Sequence, residues 1–210
     1  CYAAHQNGGS FFGSVYDVSK DSFLDLLQRR IVELGFENRE VIYLRFGQNV
    51  ETNLSLKMRE NFPQLPYNLS TMLEAISELV KQRNIKCVMP TKIPEFDYST
   101  VRLLREANVS VLGSVGYEVF EKGIIAHGFD TKKRLEGVLQ LAKEGVNANI
   151  YLATDLTRGI DMIQDEAKIA LDFQAKYSSE IGLQLLDIRI TKKSQASIIA
   201  GDNWGKIVTR

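Results

Sequence analysis

Runs of residues typical of β-strands alternate with amphipathic runs typical of α-helices along almost the whole chain. The clearest block covers residues 109–156, which read in order as a strand, a charged loop with glycines, a helix and a second strand. This alternation predicts an α/β fold of parallel strands joined by helical crossovers. Because ligands of such folds bind at the carboxyl ends of the strands, the residues that follow each predicted strand are the first candidates for function.

The same pattern predicts a single domain over residues 1–210, with an irregular tail from about residue 192. Strands are predicted at 41–46, 86–89, 110–120, 147–154 and 183–191, the second of them stopping at Pro90. Helices are predicted at 20–35, 71–84, 100–108, 131–146 and 161–182, with N-terminal caps at Ser19, Ser70 and either Asp130 or Thr131. Asp97-Tyr98-Ser99 is predicted to open the third of these helices. Since this order begins with a helix, we expect one further strand before Cys1.

The composition narrows the classes of protein to which the chain belongs. Lys and Arg total 26 and Asp and Glu total 26, so the strong positive charge typical of nucleic-acid-binding proteins is missing. No apolar run approaches the ~20 residues that cross a bilayer, which predicts no membrane partner. With only two cysteines there is no disulfide framework, so a reducing, cytoplasmic location is expected.

Four residues at the ends of predicted strands are candidate site residues. Gly47 follows the first strand and lets a ligand approach the backbone, while Glu51 in the same loop accepts hydrogen bonds. Lys92 follows the second strand and suits a carboxylate, and Ser114 offers a hydroxyl in the third strand, where Gly113 leaves space beside it. Each also has an ordinary interpretation: a βα turn, a solvated lysine, or a strand in which glycine favours a bulge.

The cysteines and histidines give weaker indications. Cys87 lies within an apolar strand and is predicted to be structural. His5 and His127 are isolated, and each is predicted to be a loop or packing residue. Two cysteines and two histidines do not readily build a metal site of three or four ligands within one chain.

Cys1-Tyr2-Ala3 resembles the end of the CxxxCxxC motif of radical S-adenosylmethionine (radical SAM) enzymes. The order of elements is also similar to that family's partial (β/α)6 TIM-like barrel. Among its branches, the chain most resembles the spore photoproduct lyase-like branch of DNA repair photolyases. This likeness rests on strand-end residues and on the loop and helix that follow: Phe46-Gly47-Gln48, Thr91-Lys92, Ser114, Glu121-Lys122-Gly123, Arg134-Leu135 and Gly145-Val146.

The resemblance implies a set of cofactor-binding residues. Cys1 would be the third thiolate of a [4Fe–4S] cluster, with the first two cluster cysteines and the first strand expected before it. Phe46, Gly47 and Gln48 would line the methionine side of SAM. Lys92 would bind the SAM carboxylate, and Ser114 would meet a polar atom of SAM near the ribose. These residues are expected to converge at the carboxyl ends of the strands.

The resemblance further implies an enzyme that cleaves SAM and generates a deoxyadenosyl radical, which abstracts hydrogen from a substrate. That substrate would be a nucleic acid lesion, a peptide or a small molecule, and the reductant a flavodoxin or ferredoxin. Two alternatives stay open. One is a cluster-free TIM-like lyase or epimerase with Lys92 as a Schiff base or Glu51 as a proton shuttle. The other is a degenerate barrel that acts as a binding module.

Overall fold

The computed structural model of the chain describes residues 18–45, 53–54, 56–61, 68–115, 130–153 and 160–186. Within them lie six helices: α1 (Lys20–Glu33), α2 (Leu56–Asn61), α3 (Leu69–Gln82), α4 (Tyr98–Glu106), α5 (Thr131–Lys143) and α6 (Ile160–Lys176). The strands are β1 (Ile42–Arg45), β2 (Ile85–Thr91), β3 (Val109–Val115), β4 (Asn147–Ala153) and β5 (Gly182–Leu186).

All five strands form one parallel sheet in the order β1-β2-β3-β4-β5. Each strand therefore pairs with the next strand along the chain, and a helix lies between every two of them in the sequence. This confirms the predicted α/β fold, because parallel neighbours can be joined only by crossover connections.

Short-range capping explains where three of the helices begin. The hydroxyl of Ser19 accepts a hydrogen bond from the backbone N–H of Ser22 at 3.2 Å. Asp97 and Asp130 do the same for Thr100 and Lys133, each at 2.8 Å. The cap at Ser19 is as predicted, and Asp130 is one of the two caps predicted for α5. All three side chains replace hydrogen bonds that the first turn of a helix lacks.

Several predicted boundaries are wrong. Helices α1, α5 and α6 end at Glu33, Lys143 and Lys176 rather than at residues 35, 146 and 182. Helix α3 begins at Leu69 rather than after Ser70, and its cap Asn68 makes no side-chain capping bond. Leu69 is 2% exposed, so packing rather than capping fixes this start. Strand β2 runs through Pro90 to Thr91 instead of stopping at the proline. The pairing of β2 with β1 ends at Val88, before the proline. Alternate residues of a parallel strand bond to opposite neighbours. The missing N–H of Pro90 therefore does not break the pairing of β2 with β3.

The two faces of the sheet differ in character. The hydrophobic core lies between the helices and one face of the sheet, which we call the covered face: Ile42, Leu44, Ile85, Cys87, Met89, Thr91, Val109, Val111, Gly113, Val115, Ala148, Ile150, Leu152 and Leu183. The alternate positions form what we call the polar face: Tyr43, Arg45, Lys86, Val88, Pro90, Ser110, Leu112, Ser114, Asn147, Asn149, Tyr151, Gly182 and Gln184. None of these polar-face residues belongs to the core cluster.

Candidate functional site

A row of polar residues crosses the polar face near the carboxyl ends of four strands. Ser114 of β3 pairs with Tyr151 of β4, and Tyr151 pairs with Gln184 of β5. Thr91 of β2 pairs with Gly113, so Lys92, the next residue, comes level with Ser114. We call Lys92, Ser114, Tyr151 and Gln184 the polar row. It lies at the edge of the sheet where parallel α/β folds bind their ligands.

Arg45 is the last residue of β1, the first strand in the sheet order, and it also reaches the polar row. Its Nη2 donates a hydrogen bond of 3.2 Å to the hydroxyl of Tyr151, and its guanidinium lies 5.8 Å from the centre of the Tyr151 ring. The hydroxyl and the ring hold the guanidinium by a hydrogen bond and a cation–π contact together. Five strands of one sheet thus contribute to the same group of polar side chains.

The contact between Arg45 and Tyr151 requires a curved sheet. The two residues lie three strands apart and, by register, four residues apart along the strands. In a flat sheet their Cα atoms would be separated by about 14 Å across the strands and about 13 Å along them. Extended arginine and tyrosine side chains together do not span that diagonal. The polar face is therefore concave along this diagonal, a curvature that the twist of an open sheet can supply.

The loop that carries Lys92 is held by a buried amide. This β2–α4 loop comprises residues 92–97. The Nδ2 atom of Asn53, a fully buried residue, donates hydrogen bonds to the carbonyl oxygens of Ile93 at 2.6 Å and Glu95 at 2.8 Å. Within the loop itself, the backbone N–H of Ile93 donates to the hydroxyl of Thr91 at 3.0 Å. These bonds satisfy backbone groups that would otherwise be buried at a cost.

An ion pair holds the other end of the β2–α4 loop. Both terminal nitrogens of Arg59 donate to Oδ2 of Asp97 at 3.0 Å, while Oδ1 of Asp97 accepts from Ser99 and from the Thr100 backbone. Burial alone would raise the pKa of Asp97. The hydrogen bonds from Ser99, Thr100 and Arg59 outweigh it and hold the pKa of this carboxyl well below its usual range. Asp97 is therefore ionised throughout the neutral range and closes the loop.

Helix α5 packs directly onto the β2–α4 loop through a glycine. A side-chain carbon at Gly137 would lie 2.6 Å from the carbonyl oxygen of Pro94, which is too close for any residue with a Cβ. The absence of a side chain lets helix and loop touch. Lys92 is thus carried by a segment fixed from three directions, as a preorganised binding site requires.

A buried arginine supports the polar row from the helical side. Arg134 of α5 is fully buried, and its Nη1 donates to the carbonyl oxygen of Ser114 at 3.1 Å. A buried guanidinium needs hydrogen-bond partners to offset its desolvation, so this bond ties α5 to the end of β3. The sequence suggests an ion pair between Arg134 and Glu121, but Glu121 lies outside the described residues.

The structure brings Lys92 and Ser114, two of the predicted site residues, to neighbouring positions at the carboxyl edge of the sheet. Cys1, Phe46, Gly47, Gln48 and Glu51 lie outside the described residues. The space expected beside Ser114 is not left open at Gly113. Gly113 belongs to the covered face, where a Cβ would collide with the side chain of Val138 of α5. That glycine admits a helix rather than a ligand, and β3 pairs through it without a bulge.

Cys87 has the structural role that its apolar surroundings predict. It is 1% exposed on the covered face, and burial raises the pKa of its thiol to about 12. Such a thiol stays protonated and cannot readily serve as a thiolate ligand. Among the residues described, no group of three or more His, Cys, Asp and Glu side chains is arranged to hold a metal ion.

Sequence reasoning missed Arg45, Tyr151 and Asn53. For Tyr151 the signal is the period of two: Asn147, Asn149 and Tyr151 alternate with apolar residues in β4, which assigns them to one face. Arg45 shows its part only once the register of the sheet is known. Nothing in the sequence indicates Asn53, because its partners are backbone carbonyls about 40 residues away.

Comparison of the chain with protein-family models, with curated proteins and with solved structures found no match. A search of the described helices for a membrane-spanning segment also gave none of sufficient length and apolar character.

Proposed function

We propose that the chain is the core of a radical SAM enzyme and that its sheet is part of a partial (β/α)6 barrel with SAM at the carboxyl ends of the strands. The observation that carries the proposal is that Lys92 and Ser114 follow the paired residues Thr91 and Gly113 at the carboxyl ends of neighbouring strands, with Lys92 on a fixed loop. A parallel sheet with helices packed on one face is the arrangement that such a barrel requires.

The chemistry of these two side chains fits SAM. The ammonium of Lys92 complements the carboxylate of the methionine part, and the hydroxyl of Ser114 suits a ribose hydroxyl or another polar atom. The carbonyl of Ser114 is occupied by Arg134, so the backbone at this position is fixed and its side chain is left to meet the ligand. These residues bind and orient SAM in the proposal.

The cluster part of the proposal rests on the likeness of Cys1-Tyr2-Ala3 to the end of a radical SAM motif. Cys87 does not suit the cluster, since its thiol is buried on the covered face. When bound, the cluster and SAM together supply the radical chemistry. Cys1 would be one thiolate ligand, Phe46, Gly47 and Gln48 would line the methionine side of SAM, and a flavodoxin or ferredoxin would serve as reductant.

Calorimetric titration with SAM tests the proposal. A charge-assisted bond of this kind contributes about 1.5–3 kcal/mol, so Lys92→Ala should weaken SAM binding by about ten- to a hundredfold. Lys92→Arg should recover only part of the affinity, because the two cations differ in shape. Lys86→Ala is the matched control, since Lys86 is a lysine near the amino end of β2, the strand whose carboxyl end leads into Lys92. Equal affinities for wild type and Lys92→Ala would remove Lys92 from the SAM site.

Iron content tests the cluster separately. The protein expressed from its full gene and reconstituted anaerobically should hold iron and sulfide, and Cys1→Ala should abolish both iron loading and deoxyadenosine formation. Cys87→Ala is the matched control and should keep the iron. Full loading and SAM cleavage in Cys1→Ala would reject the assignment. Trapping of a carbonyl compound on Lys92 by borohydride would instead favour the cluster-free lyase.

A further inference from the structure

We infer that Arg45 and Tyr151 form a binding subsite for an oxyanion, so that the molecule bound on the polar face carries a carboxylate or phosphate group. The inference deepens the proposed function. It rests on that function only in taking the bound molecule to be the substrate. The subsite itself is argued from the described residues alone.

The first observation is the charge of the polar face. The charged side chains at its described positions and on the polar row are Arg45, Lys86 and Lys92, and all three are cations. Asp and Glu do not occur at these positions, although the chain as a whole has 26 of each sign. A surface whose charges share one sign concentrates counter-ions, so this face attracts anions.

The second observation concerns the partners of Arg45. Arg59 has both terminal nitrogens on one carboxylate, that of Asp97, and is thereby neutralised. Arg45 is exposed, and among the described residues its guanidinium contacts the hydroxyl and ring of Tyr151 but no carboxylate. A planar guanidinium binds carboxylate and phosphate through two parallel N–H bonds. Arg45 keeps that ability, whereas Arg59 has already used it.

The third observation is that Tyr151 fixes where the guanidinium lies. Tyr151 is 9% exposed, so the ring under Arg45 is held by packing. Its phenolic O–H, which accepts from Arg45, has its own proton to donate to the same anion. Because Tyr151 pairs with Ser114, an anion held here would lie beside the polar row. Cation, aromatic ring and hydroxyl are thus assembled before any ligand binds, which lowers the entropy cost of binding.

Titration of the protein with inorganic phosphate and, separately, with acetate tests the subsite, with binding followed through backbone amide shifts. Phosphate or acetate should move the amides of β1 and β4 at millimolar concentration, and the stronger of the two identifies the chemical source of the oxyanion. Arg45→Gln should weaken binding at least tenfold. Tyr151→Phe keeps the ring but loses the hydroxyl, so it should weaken binding several-fold. Added sodium chloride should weaken binding as well.

Lys86→Gln is the matched control, because Lys86 is also a polar-face cation over a tyrosine, 6.0 Å from the ring of Tyr43. It should bind phosphate as the wild type does. Failure of the subsite is distinguishable from failure of the proposed function: Arg45→Gln should leave SAM affinity within about twofold, and Lys92→Ala should leave phosphate binding within about twofold. Unchanged phosphate affinity in both Arg45→Gln and Tyr151→Phe, or phosphate binding that is lost in Lys92→Ala alone, would overturn the inference.

Discussion

The two faces of the sheet are made by alternate residues of the same strands, yet they have opposite compositions. In β2, the covered face takes Cys87 and Met89, and the polar face takes Lys86 and Val88. Parallel sheets are usually covered on both faces, and their strands then read as continuous apolar runs. The alternation seen here places the core cluster against the covered face, although Leu112 and Tyr151 of the polar face are also buried. The other residues of the polar face are partly buried or exposed, and those near the carboxyl ends of the strands are available for binding.

The two faces also differ in how much they contribute to stability. The covered face explains why the chain folds, since burial of apolar surface is the dominant stabilising term. The polar face contributes little to the stability, because its side chains are largely polar. The polar row of Lys92, Ser114, Tyr151 and Gln184 lies near the carboxyl ends of the strands. Substitutions on the two faces should therefore affect different measurements.

The largest effect is expected at Met89, which is fully buried on the covered face. Met89→Ala should lower the free energy of unfolding by about 2–5 kcal/mol, because it removes apolar contacts and leaves a cavity. Urea unfolding measures this loss. Val88→Ala, one residue away on the polar face and only partly buried, is the control and should cost distinctly less. Equal losses at the two positions would show that both faces are packed alike and would end the comparison.

A smaller loss is expected at Asn53, which belongs to neither face but fixes the loop beside the polar row. Asn53→Ala would leave the carbonyl oxygens of Ile93 and Glu95 without this donor, at a cost of about 1–3 kcal/mol for such buried groups. Amide hydrogen exchange should accelerate over residues 91–97 while β4 stays protected. Asn147→Ala, at an exposed site, is the control and should change stability by less than about 0.5 kcal/mol. Unchanged exchange in Asn53→Ala would show that the loop is held by other contacts.

Some elements of the fold could be predicted from the sequence and others could not. The alternation of strand-like and helix-like runs and the caps at Ser19 and Asp130 are local patterns, and they predict the fold class and most elements. The start of α3 failed because burial of Leu69 overrides the cap at Ser70. The short helix α2 lies in a polar stretch with no clear period and was not predicted.

The candidate site could be predicted only in part. Lys92 and Ser114 follow from one rule, that ligands bind at the ends of parallel strands. Arg45 and Tyr151 depend on the register and curvature of the sheet, which bring together residues 106 positions apart. No local pattern contains such information, because the energy that fixes the register comes from the whole covered face.

The next smaller loss of stability is expected at Asp97, and it should depend on pH. The pKa of this carboxyl in the folded protein lies below the value of about 3.9 in an unfolded chain. Its contribution to stability is therefore complete above about pH 5 and is lost as the pH falls through the folded value. Asn caps a helix as well as Asp does, so Asp97→Asn should remove mainly the ion pair with Arg59, at a cost of about 1 kcal/mol at pH 7.

Urea unfolding of the wild type and Asp97→Asn between pH 3 and pH 8 checks this expectation. The difference in the free energy of unfolding should be constant from about pH 5 to pH 8 and shrink below about pH 4. Asp130→Asn is the matched control, since Asp130 caps α5 in the same way at an exposed position. A difference that grows on acidification would contradict the assigned direction of the Asp97 pKa.

The smallest effect is expected at Lys86, which stands next to Cys87 in the chain and on the opposite face. Lys86 is exposed and lies over the ring of Tyr43, itself 70% exposed, and a cation–π contact in water contributes about 0.5 kcal/mol. Lys86→Gln should therefore lower stability by no more than that. Cys87→Ser places a hydroxyl at a site that is 1% exposed and should cost about 1–3 kcal/mol. A larger loss of stability in Lys86→Gln than in Cys87→Ser would show that the polar face contributes to folding. Its cations could then be explained by stability and would not indicate a ligand.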